Sequence, residues 1–156
     1  MKYIFYIIVN FYFFSLLAAD YYESNSINSV KVSKKIILPD GSIYSTLDTK
    51  GSGTNNLGLY EIFNCAGHRL SNKNTLLEQD FYCNVELSNN DFYTFFMKRS
   101  KTDMDAGVGY IVIAGGSKPF EKIKNKKCNY AVSFFKDQAF VKIKCEVDEK
   151  FISEFK

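Results

Sequence analysis

Four cysteines constrain this chain more than any other feature: Cys65, Cys83, Cys128 and Cys145. They follow an apolar leader. Met1-Lys2 gives a short positive start, Tyr3–Leu17 is almost wholly apolar, and Ala18-Ala19 precedes the acidic run Asp20-Tyr21-Tyr22-Glu23. That layout predicts a secretory signal peptide over 1–19, cleaved near Ala19. An even cysteine count behind such a leader predicts two disulfides formed on an oxidising route. Four cysteines allow three connectivities, and spacing does not choose among them.

The first two cysteines bracket FNCAGHRLSNKNTLLEQDFYC, residues 63–83. The stretch reads as a strand end, a turn at Ala66-Gly67 and a short helix capped by Ser71, with Leu76, Leu77 and Phe81 as an apolar stripe at helical spacing. Upstream, Asp20–Ser29 is polar and reads as loose. Val30–Asp48 reads as a hairpin turning at Pro39-Asp40-Gly41, and Lys50–Asn56 as a loop rich in Gly, Ser and Asn. Leu57–Cys65 reads as a strand with Leu59, Glu61 and Phe63 on one face.

After Cys83 the chain is rich in aromatic and β-branched residues. Phe92–Met97, Val108–Ala114, Pro119–Lys124, Tyr130–Phe135 and Phe140–Val147 are strand candidates. In the last, Val141, Ile143, Cys145 and Val147 alternate with Lys142, Lys144 and Glu146. A run of strands with one early helix predicts an α+β domain: one short helix packed on a twisted antiparallel sheet. The boundaries are a 20–56 extension with the hairpin, a 57–149 domain and a charged 150–156 tail.

The mature chain carries 19 basic and 17 acidic residues, too even a balance to imply nucleic-acid binding by itself. The basic residues are locally dense, however. Lys122, Lys124, Lys126 and Lys127 precede Tyr130, and Lys136, Lys142 and Lys144 follow. On strands these alternating lysines would share a face, a possible surface for RNA phosphates or a protein partner. The alternative is a solvated sheet face or protection of a sheet edge.

The cysteine framework with one helix between its first two members resembles that of the secreted fungal guanyl-specific ribonucleases. It is most similar to the ribonuclease-like secreted effectors of powdery mildew fungi. The matching features are Phe63-Asn64-Cys65, the turn and helix that follow, Cys128-Asn129-Tyr130-Ala131, and Cys145 near the end. The resemblance covers about Leu57–Val147. It implies a microbial ribonuclease-like fold and the pairing Cys65–Cys145 with Cys83–Cys128. It does not carry catalysis across. Glu121 stands where the family has its phosphate-holding arginine, and Phe135 or Lys136 where it has its acid histidine. Gly109 or Tyr110 stands at the carboxylate, and Phe92–Phe96 replaces the family's Tyr-Pro-His stretch.

The only histidine, His68, reads as a turn residue. Gly115-Gly116-Ser117-Lys118 lacks phosphate-loop spacing and reads as a turn that does not precede a helix. Asp103 and Asp105 read as solvated loop acids rather than metal ligands. The expectation is therefore a secreted, monomeric, non-catalytic effector without metal or cofactor. Its partner would be a host protein, or RNA bound without cleavage, and it could be translocated into host cells. The rival expectations are an active ribonuclease or other hydrolase with a rearranged site, and an extracellular structural or antimicrobial protein. No segment beyond the leader could span a bilayer.

Overall fold

A computed structural model describes residues 20–155; the expected signal peptide lies outside the described residues. Eight antiparallel strands follow one another in chain order: β1 (Asp20–Ile37), β2 (Ile43–Asn55), β3 (Tyr60–Asn72), β4 (Thr75–Leu87), β5 (Phe92–Asp103), β6 (Ala106–Gly116), β7 (Lys127–Phe135) and β8 (Gln138–Val147). Each pairs with the next, and β1 pairs with β8 from Asp20↔Val147 to Ser29↔Gln138, which closes a barrel. Closure leaves the paired strands no free edge, the standing hazard of open sheets. Two short helices, α1 (Lys118–Glu121) and α2 (Glu149–Ser153), sit at one end.

This corrects the α+β expectation. Residues 71–83 are not a helix but the end of β3, a turn at Lys73-Asn74 and most of β4. The misleading signal has a physical origin. Leu70 pairs with Glu78 and Ser71 with Leu76, so Leu77 is an extra residue on β4. This bulge switches the inward phase, so the buried residues run Leu76, Gln79, Phe81, Cys83, Val85 and Leu87. One i, i+3 step beside Leu77 imitates a helical stripe.

The expected 20–56 extension is likewise integral to the domain, as β1 and β2. The Pro39-Asp40-Gly41 turn is present: Asp40 accepts from the Ser42 backbone N–H at 3.0 Å, and Gly41 takes φ +79°. Pro119–Lys124 forms α1 and the turn after it rather than a strand; Pro near a helix start has the φ the first turn needs. Gly115-Gly116-Ser117-Lys118 does precede a helix, of four residues. The expected 150–156 tail contains most of α2, which Asp148 caps by accepting from the Phe151 N–H at 2.8 Å.

The disulfides pair Cys65 with Cys83 and Cys128 with Cys145. The expected Cys65–Cys145 and Cys83–Cys128 bridges are therefore corrected. Cys65 and Cys83 are directly opposed on neighbouring strands, their Cα atoms 4.1 Å apart. The β7–β8 register likewise opposes Cys128 and Cys145, at 4.5 Å. Two intervening strands separate β3 from β8 around the wall, so neighbour pairing decides the connectivity.

Inward residues fill most of the barrel. The helix-bearing end is plugged by aromatic rings. Phe120 of α1 stacks on Tyr93 with centroids 4.4 Å apart, and Phe151 of α2 meets Phe120 edge-on at 5.4 Å. Tyr22 packs edge-on against both. Here Glu61, with no exposed surface, accepts hydrogen bonds from the Tyr22 hydroxyl, the Ser24 hydroxyl and Asn55 Nδ2, so its charge is fully engaged.

Candidate ligand site inside the barrel

A barrel of eight strands has an interior that side chains can just fill, or that can hold one small ligand. This one is not completely filled. A cavity of about 50 Å³ lies in the middle of the barrel and toward the end formed by tight turns. That is room for about three or four water molecules, or a small ligand group. Its lining is mainly apolar, with Leu47, Phe63, Phe81, Phe95, Met97 and Val132 prominent.

The polar atoms at the cavity set it apart. Arg69 Nε, Tyr130 Oη and Thr49 Oγ1 are all buried, belong to lining residues and have no hydrogen-bond partner. Beside them lies Arg99, only 1% exposed, with Nε, Nη1 and Nη2 all unpartnered. Its guanidinium carbon is 5.5 Å from the ring centroid of Phe134, which lines the cavity. Buried charge without a partner is costly, and native interiors hold few such groups. Among the described residues no carboxylate forms a salt bridge with either arginine, and Glu61 is engaged with Tyr22, Ser24 and Asn55.

The strand pattern explains how the arginines come to face inward. On β5, Arg99 is in phase with Tyr93, Phe95 and Met97; on β3, Arg69 is in phase with Phe63 and Cys65. Space is provided from β6. A Cβ on Gly107 would sit 3.2 Å from Arg99 Nη1, and one on Gly109 would sit 2.6 Å from Tyr130 Cε1. These two glycines let the guanidinium and the phenol ring lie close to the β6 backbone.

Burial lowers the pKa of both guanidinium groups from the ordinary arginine value, and for Arg99 the nearby Arg69 acts in the same direction. Arginine stays protonated all the same, so the strain is electrostatic. Burial raises the Tyr130 hydroxyl well above its usual range, with Arg99 partly opposing. Tyr130 is therefore a neutral donor at physiological pH. Two cations and two hydroxyls face or flank a small apolar void, an arrangement suited to holding an oxyanion.

The expected lysine surface is dispersed. Lys122, Lys124 and Lys126 lie on the α1–β7 connection, not on a strand; Lys122 pairs with Glu154, and Lys124 with Glu121 at 3.0 Å. Lys142 and Lys144 on β8 both reach Glu23, at 3.1 and 3.2 Å. Lys127 lies over the Tyr110 ring, and Lys136 is in the β7–β8 turn at the opposite end from α1. Tyr130, expected beside the lysines as a stacking platform, is 3% exposed and faces the interior. Phe63 points into the core, while Asn64 faces out. His68 is on β3, not in a turn, and stacks on Tyr44 at 5.6 Å. Asp103 ends β5 and Asp105 is in the turn after it; among the described residues no group of three or more potential ligand side chains gathers to hold a metal ion.

The arginines were missed by sequence reasoning, although a signal existed. Of the 20 basic residues only two are arginine, Arg69 and Arg99. Arg99 continues the alternation of Tyr93, Phe95 and Met97, which an apolar strand face does not do without reason. No protein family, curated protein or solved structure matches this chain.

Proposed function

We propose that this chain is a secreted, non-catalytic binding protein that captures a small molecule inside its barrel. The observation that carries this reading is the cavity rimmed by buried polar atoms without partners, on Thr49, Arg69 and Tyr130, with Arg99 beside them. A bound ligand would supply the hydrogen bonds the chain withholds. Secretion is supported by the apolar leader at 1–19 and by the two disulfides. Binding rather than catalysis is favoured by the interior side chains. Arginine, tyrosine and threonine hold and orient a ligand, whereas the one histidine is on the outer wall.

The kinship with ribonuclease-like effectors drew on a helix between Cys65 and Cys83 and implied a Cys65–Cys145 bridge, and the barrel contains neither. Secretion and binding do not depend on that kinship. Native mass spectrometry of oxidised 20–156, together with thermal denaturation against a panel of small molecules, tests it. Binding of one ligand per chain with a rise in Tm is expected; no stabilisation by any small molecule would count against the reading.

One observation favours a second reading, recognition of a host protein on the outer wall. Exposed Ile62, Ile27 and Phe140 lie in one row across β3, β2, β1 and β8, with exposed Tyr60 beside them. An exposed apolar patch of this kind often marks an interaction surface. Loss of partner capture on Tyr60→Ala and Ile62→Asp, with small-molecule binding intact, would support it.

A further inference from the structure

We infer that the interior site selects an oxyanion on a short apolar body, a small carboxylate or phosphate monoester whose head group is held by Arg69 and Arg99. The inference rests on the reading of the barrel as a small-molecule binder and adds the chemical class of the ligand. Three observations point the same way.

The first is charge without compensation. Arg99 is 1% exposed, and none of its three guanidinium nitrogens is hydrogen-bonded. A structural arginine at such depth would pair with a carboxylate or with backbone carbonyls. Here the buried acid Glu61 is committed to Tyr22, Ser24 and Asn55, and Asp80, whose Oδ1 is buried, pairs with Lys98 rather than with an arginine.

The second is the choice of donors. Arginine presents a planar fork that matches the two oxygens of a carboxylate or phosphate, which lysine does not. Among the described residues no lysine lines the cavity, while Arg69 lines it and Arg99 adjoins it. The Tyr130 and Thr49 hydroxyls add two uncommitted donors to the same rim.

The third is size and lining. About 50 Å³ walled by Phe81, Phe95, Met97 and Val132 suits a head group with a few carbons, not a nucleotide or a sugar chain. Met97 is the lining side chain best able to yield to a longer tail, being unbranched and flexible.

The probes are sodium butyrate, butyl phosphate and butanol, titrated by calorimetry and by thermal denaturation into wild type, Arg99→Met and Arg69→Gln. Butyrate or butyl phosphate is expected to raise the Tm of the wild type and butanol to leave it unchanged. The stronger of the two anions identifies the head group. Each variant is expected to lose about tenfold or more in anion affinity. Without ligand, R99M is expected to have a higher Tm than wild type, because it removes an unpaired buried charge and keeps the volume. A merely structural Arg99 would give the opposite sign. R99M with a lower Tm and an unchanged anion response would overturn the inference. Equal stabilisation by butanol, indifferent to both substitutions, would overturn the anionic class and leave interior binding standing. No response to any probe would count against both. Should R99M fail to fold, Arg69→Gln, at a half-buried position, decides alone.

Discussion

The guanidinium carbon of Arg99 lies 5.5 Å from the ring centroid of Phe134, and among the described residues none gives its three nitrogens a hydrogen bond. A cation over an aromatic face gains about 0.5–2 kcal/mol, well short of what full burial of an unpaired charge costs. The site is therefore held under electrostatic strain by the closed wall around it.

The disulfides staple neighbours in the ladder rather than distant parts of the fold. Proteolytic mapping of the non-reduced protein should return linked peptides containing Cys65 with Cys83 and Cys128 with Cys145. Replacing either pair by serine should cost about 3 kcal/mol, the chain-entropy figure for loops of this size, without opening the barrel. Denaturant titration with far-ultraviolet circular dichroism reads both effects.

Gly109 should not tolerate a side chain. A Cβ there would meet the Lys98 carbonyl oxygen at 2.4 Å and Tyr130 Cε1 at 2.6 Å, and the first of these is backbone. Gly109→Ala should destabilise by about 1–3 kcal/mol and displace the Tyr130 ring, which tyrosine fluorescence and denaturant unfolding would register.

Glu61 anchors the plugged end. Glu61→Leu would leave the Tyr22 and Ser24 hydroxyls and the Asn55 amide without their acceptor, all in buried positions. A loss of about 3 kcal/mol or more is expected from the orphaned donors, with a smaller loss for Glu61→Gln. Thermal unfolding of the two variants should rank in that order.

Glu23 contributes a small acid dependence. Hydrogen bonds from Lys142, then Lys144, hold its carboxyl below the usual glutamate value. A depressed folded-state pKa means that the stabilisation is present above the ordinary carboxylate pKa and is lost as pH falls through the depressed one. Glu23→Gln should therefore flatten the fall of Tm on acidification below the usual glutamate range, and high salt should diminish the difference.

Part of this architecture was legible in the sequence. Pro39-Asp40-Gly41 marked the β1–β2 turn, and the alternation Val141, Ile143, Cys145, Val147 gave the inward face of β8. Closure was not legible, because between Tyr22 and Val30 the inward face of β1 is Ser24, Ser26 and Asn28 rather than an apolar series. Those small polar residues lie against β2 where it carries Gly51 and Gly53. A Cβ on Gly51 would meet Asn28 Oδ1 at 2.2 Å, and one on Gly53 would meet Ser26 Cβ at 2.9 Å. Glycines that read as loop residues thus permit two strands to approach closely. β4 was hidden by the bulge at Leu77. The site was hidden because lysines crowd the sequence, while the two arginines are separated by 30 residues and meet only when β3 and β5 curve into one wall.

Interior anion binding is read out by chemical-shift mapping of the isotope-labelled protein with butyrate and with butyl phosphate. Saturable changes are expected with at least one of them at Thr49, Arg69, Arg99 and Tyr130, with Ile27, Tyr60, Ile62 and Phe140 on the outer wall unmoved. Changes confined to the outer wall, or no change with either anion at high concentration, would rule interior binding out.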